Sequence, residues 1–159
     1  MTTVRRVIRE KAFQSLFQLS THEDLTIEEA IQLSLDSTLT LNEERTPEEA
    51  MSLVLPEDKS TDNIVTDALS YLHTLVSGVQ ANKEAIDQAI SQNLKKWSLN
   101  RLERTNLLLL RLAVYELLYQ PEVDKRIVMN EAIELTKLYN DEKASKFVNG
   151  VLQSIANQM

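Results

Sequence analysis

The sequence predicts an all-α protein, and three observations carry that prediction. Only two glycines and three prolines occur in 159 residues, whereas a sheet protein of this size needs many tight turns built from them. The chain is rich in Leu, Ala, Glu, Lys and Gln, the residues that favour helices. Its apolar residues recur at three- and four-residue intervals behind recognisable helix starts. The length suits a single domain over residues 1–159 with one well-formed core.

The first stretch, VRRVIREKAFQSLFQL, predicts a helix over residues 4–19. On a helical wheel with Ile8 at zero, Ala12, Phe13, Leu16, Phe17 and Leu19 fall within about 180° of arc. Arg5, Arg9 and Arg6 fall at about 60°, 100° and 160°, inside the same arc. The arginines therefore continue the core stripe past its end. The simplest expectation is a helix that overhangs the bundle and presents guanidinium groups at its tip. Cations are disfavoured at a helix N-terminus, so the placement calls for a reason.

Residues 21–60 read as an acidic connector. Thr26-Ile27-Glu28-Glu29 is a capping box before the short helix EEAIQLSLD. Thr46-Pro47-Glu48-Glu49 is a second start signal, with Pro at the first helical position, and Pro56 ends that piece. LTLNEER lies between them. The expectation is one or two short helices, loosely packed. Further on, the pattern predicts helices over about 62–79, 83–94, 106–119, 127–139 and 144–156, about seven in all. The helix containing NLLLLRLAVYELLY is apolar nearly all round and should be central. In the next helix Asn130, Glu131, Glu134 and Lys137 are expected outside. In the last, Phe147, Val148, Val151, Leu152 and Ile155 are expected inside.

The net charge is −7, but it is unevenly spread: +3 over residues 1–20, −9 over 21–60 and −1 over 61–159. The acidity belongs to one segment, so the total says little about the rest of the surface. The absence of Cys removes disulfides, thiolate metal sites and Cys nucleophiles, and it fits a reducing cytoplasm. No apolar run reaches the roughly 18–20 residues that a membrane span needs, and the basic N-terminus lacks the apolar core of a signal peptide.

Signs of catalysis are poor. His22 and His73 stand far apart and outside any HExxH spacing. With Gly78 and Gly150 as the only glycines, no GxGxxG or P-loop can exist. The pairs Glu28/Glu29 and Glu48/Glu49 sit in first helical turns, where carboxylates complement the dipole. The expectation is a non-enzyme without cofactor or metal.

Two readings of the N-terminal arginines stay open. One is a set of salt bridges to the acidic connector, each worth little. The other is phosphate binding, because guanidinium forks match phosphate oxygens in pairs. Arg101, Arg104 and Lys95/Lys96 could extend such a patch, or could be a solvated helix junction. Arg111 and Glu116 interrupt the central helix, and each should pair with another helix because an unpaired buried charge is costly. Gly150, after Asn149, either lets a neighbouring element approach closely or marks a partner surface.

Four segments together resemble the NusB transcription antitermination family: RREKAFQSLFQL, the pattern Trp97-x-Leu99-x-Arg101-Leu102, LRLAVYELLY at 110–119, and NEAIELTKLYNDEKASKFVNGVL at 130–152. The last is the most specific. The resemblance implies two three-helix subbundles, here with an extended acidic connector after the first helix. It implies binding of a single-stranded boxA element in nascent RNA with the ribosomal protein NusE. That complex joins RNA polymerase and other Nus factors and supports ribosomal RNA transcription. The family's RNA-contacting arginines match Arg5, Arg6 and Arg9, with Lys11 in the same basic stretch. Its NusE-docking region matches Asn100, Arg101, Arg104 and Asn106. Some members form homodimers that hide the RNA surface. Two alternatives remain: a helical protein–protein adaptor, or the RNA-binding appendage of an RNA methyltransferase.

Overall fold

In a computed structural model, the described residues are 3–36, 44–96 and 98–159. Most of LTLNEER and Trp97 lie outside them. Among the described residues there are eight α-helices and no strand: α1 Val4–Thr21, α2 Ile27–Asp36, α3 Pro47–Val54, α4 Asp62–Ala81, α5 Lys83–Ser91, α6 Arg104–Tyr119, α7 Lys125–Tyr139 and α8 Glu142–Asn157. Two 3₁₀ turns sit at Glu57–Lys59 and Leu99–Arg101. The chain divides into two compact units, residues 1–77 and 78–159.

In the first unit, Thr3 caps α1, its hydroxyl accepting from Arg6 N–H at 3.1 Å. This satisfies one orphan donor of a first turn that has no acidic residue. Both predicted capping boxes form. Glu29 N–H donates to the Thr26 hydroxyl at 3.1 Å while Thr26 N–H donates to the Glu29 carboxylate at 3.0 Å, and Thr46 and Glu49 repeat the arrangement. The two helices of the connector are not loosely packed. Ala30, Ile31, Leu35, Ala50, Met51 and Leu55 are all buried, and α2 packs on α1 and on α3. That packing gives α1 a second buried row, Val7, Lys11 and Ser15, at four-residue spacing. At its end the Ser15 hydroxyl donates to the Ser34 hydroxyl of α2 at 3.0 Å. Helices read as a spacer are core.

In the second unit α6 is central, packing on α5, α7 and α8. Leu108, Leu109, Leu110, Leu112, Ala113, Val114, Tyr115 and Leu117 are buried. Arg111 finds its partner on α5: Nε and Nη2 donate to the two Asp87 carboxylate oxygens at 2.8 and 2.9 Å, the forked geometry that makes such pairs strong. Glu131, expected outside, is buried. The glycine that permits a close approach is Gly78, where a Cβ would run into the Tyr115 ring.

Candidate nucleic-acid interface

Three groups of polar side chains are candidates for a functional site, and the backbone positions each differently. At the start of α1, Arg5 is exposed and Arg6 half-buried, while Arg9 and Lys11 are each only 4 % exposed. The expected overhang, with guanidinium groups presented at the tip, therefore does not hold for Arg9, and Lys11, also matched to RNA binding, is buried as well. Arg9 lies on the apolar stripe and its Nη1 donates to the Arg5 carbonyl at 3.3 Å. Lys11 lies on the row covered by α2, and its Nζ donates to the Gln14 side-chain carbonyl at 3.2 Å. Burial pulls the Lys11 ammonium below its ordinary pKa, with the neighbouring Glu10 opposing the shift. Phe13 is buried as well and cannot serve as a stacking platform in this arrangement.

The second group lines a cleft of about 380 Å³ between the end of α5 and the face of α8. Its walls carry Lys95, Lys96 and Lys146, all exposed, and among the described residues no carboxylate lines it. Asn93 fastens the two walls together: its Oδ1 accepts from the Ser154 hydroxyl at 2.6 Å and from Gln158 Nε2 at 2.9 Å. Lys146 and Gly150 are four residues apart, so they stand one above the other on α8. Among the described residues, a Cβ added at Gly150 meets nothing within 4 Å. Gly150 therefore opens the cleft and does not admit a neighbouring helix. Phe147, expected inside, is half-buried and lines this cleft.

Phe147 also lines the third group, a cavity of about 320 Å³ at the start of α6. Arg101 and Asn106 are on its wall, with Leu102, Glu103, Asn140, Asp141, Lys143 and Ala144. Of the four residues matched to partner docking, these two share the cavity. Asn100 and Arg104 are exposed beside it, and Asn100 Oδ1 accepts from the Ser98 hydroxyl at 2.6 Å. Asp141 caps α8 by accepting from Ala144 N–H at 2.8 Å. The turn before it is held by Asn140, whose amide nitrogen reaches Glu103 and Asn106.

A model of the NusB family matches residues 6–157. The chain belongs to the NusB family. The transcription antitermination protein NusB of Listeria monocytogenes serotype 4a (strain HCC23) is 41 % identical over 152 residues, covering 96 % of this chain and 95 % of that protein. The NusB protein of Bacillus cereus (strain B4264) is 36 % identical over 155 residues, covering 98 % of each. Among solved structures, the antitermination factors NusB and NusE in complex with dsRNA superpose with TM-score 0.74 at 27 % identity, over the whole of both chains. A NusB structure from T. maritima gives 0.72 at 34 % identity, covering 99 % of this chain and 94 % of that one.

Reading the sequence missed Lys146, Phe147 and Gly150 as one constellation. The available signal was the spacing: a helical glycine four residues after a lysine and three after an aromatic leaves an open slot beside a cation and a ring. Asn106 is reached by resemblance alone and Arg101 also by its charge, whereas the groups that complete their cavity, Asn140 to Phe147, are distant in sequence.

Proposed function

We infer that this chain is a non-enzymatic transcription antitermination factor that holds a boxA-type single strand of nascent RNA. It acts with NusE in the cytoplasmic elongation complex of RNA polymerase and other Nus factors. The observation that carries the RNA reading is the cleft between α5 and α8, with three exposed lysines, no carboxylate among its described lining residues, and Phe147 at its side. Ammonium groups there neutralise phosphates, and a half-exposed ring gives a base a face to stack on. Arg5 and Arg6 add phosphate contacts at the start of α1. Arg9 braces Arg5 through its carbonyl and, with Lys11, adds positive potential from within. The cavity holding Arg101 and Asn106, flanked by Asn100 and Arg104, receives NusE. The relative solved with NusE and dsRNA supports pairing these two ligands.

An electrophoretic shift with a boxA RNA and a scrambled control, with and without NusE, tests this. The boxA strand should shift at lower protein concentration than the control, and NusE should widen the gap. Equal shifts of both strands under both conditions would contradict it.

A further inference from the structure

The side-chain amides in the cavity at the start of α6 can be oriented by elimination. Asn140 Oδ1 accepts from the Asp141 backbone N–H at 3.0 Å, so the other branch of that amide is its nitrogen. The nitrogen donates to both Glu103 carboxylate oxygens, each at 3.1 Å. A carboxylate can only accept, so the orientation is fixed twice. The same nitrogen donates to Asn106 Oδ1 at 3.1 Å. The Asn106 oxygen is thereby turned toward Asn140, and its own NH₂ is turned away. Among the described residues no acceptor meets that NH₂, and Asn106 opens onto the cavity.

We propose that Asn140 is a positioning residue for partner docking: by holding the Asn106 oxygen, it makes the cavity offer an amide donor to an oxygen acceptor, a carboxylate or backbone carbonyl, on a protein partner. The inference rests on the partner-docking reading given above and adds the direction of the hydrogen bond. Charge favours a protein over RNA in this cavity. Arg101 and Lys143 are balanced on its wall by Glu103 and Asp141, whereas the neighbouring cleft carries three lysines and, among the described residues, no acid. A polyanionic strand gains from the second and not from the first. A mixed protein surface with a directed acceptor suits the first.

Asn106→Asp replaces the donor by an acceptor of the same shape and still accepts from Asn140. Affinity for cognate NusE, measured by titration calorimetry, should fall about tenfold or more, because two oxygen acceptors would then face each other. Asn106→Leu removes the donor without adding a charge beside Glu103, and should also weaken binding. Asn140→Ala should cost about threefold when Asn106 is present and nothing further in the Asn106→Leu background, as coupled residues require. Binding of boxA RNA alone should stay within about twofold for Asn106→Asp, since the cleft supplies the phosphate contacts. A wild-type chain that does not bind NusE defeats the partner reading and this inference with it. A wild type that binds, with Asn106→Asp and Asn106→Leu binding equally well, overturns the inference alone. Equal losses from Asn140→Ala in both backgrounds overturn the positioning role. A loss confined to RNA binding overturns the assignment of the cavity to a protein.

Discussion

The cations of α1 and those of the α5–α8 cleft look alike in sequence and are used differently by the fold. In α1, two of the four basic groups are buried and bonded within their own helix, Arg9 to the Arg5 carbonyl and Lys11 to Gln14. In the cleft all three lysines are exposed, around a slot that Gly150 keeps open. A cation on a core stripe is enclosed when a neighbouring helix covers its row, and α2 does that to the row of Lys11. A cation opposite a glycine stays accessible because nothing fills the facing volume. Charge counts along the chain cannot separate the cases, since what differs is the neighbour.

Substitutions separate these kinds of cation. The largest effect concerns a third kind of cation, buried and paired. Arg111→Ala should lower unfolding free energy by about 3 kcal/mol, because it strands a half-buried Asp87 without its fork. Urea denaturation measures this, and a change below the scatter would mean that Asp87 is readily hydrated. Next, replacing Lys95, Lys96 and Lys146 together by Ala should weaken RNA binding by about thirtyfold near physiological salt while leaving stability within about 0.5 kcal/mol. A comparable loss of stability would put these lysines in the fold and erase the contrast with α1.

The two glycines give a smaller and opposed pair. Gly150→Ala should stabilise the chain by up to about 1 kcal/mol, since it removes a helical glycine at a place with free space. Gly78→Ala should destabilise it, because the added methyl meets the Tyr115 ring. Thermal melts of both variants decide whether the two positions differ as described. The smallest effect is that of Lys11→Met. Burial lowers the Lys11 pKa in the folded state, so the charged form is disfavoured there relative to the unfolded chain. That penalty is fully present below the folded pKa and is relieved as pH rises toward the unfolded value of 10.5. Wild-type stability should therefore carry a rising contribution over that window. Lys11→Met should remove it and gain slightly at neutral pH.

Most helices were legible because their signals are local. The boxes at Thr26/Glu29 and Thr46/Glu49 announce α2 and α3 within four residues. The apolar run of α6, interrupted only by Arg111 and Glu116, announces a central helix. That Arg111 would pair with another helix was also legible, from the cost of a buried charge, although Asp87 as its partner was not. What escaped depends on tertiary neighbours. Nothing near Lys11 or Ser15 says that α2 will cover them, and nothing near Glu131 says that it will be enclosed. The close approach at Gly78 escaped for the same reason, since the ring opposite it comes from a residue 37 positions away. Phe147 was assigned to the core because it shares a face with Val148 and Val151. The structure leaves it half-buried at the edge of that face, where small shifts of angle decide exposure.

Accessible cations that grip a phosphate strand are read most directly through salt dependence. Fluorescence anisotropy of a boxA-type RNA across a salt series should give a log–log slope that becomes shallower by about 2 when Lys95, Lys96 and Lys146 are replaced by Ala. It should become shallower by about 1 when Arg5 and Arg6 are replaced. Slopes identical to wild type in both variants would contradict the account, because the RNA would then be held by groups other than these cations.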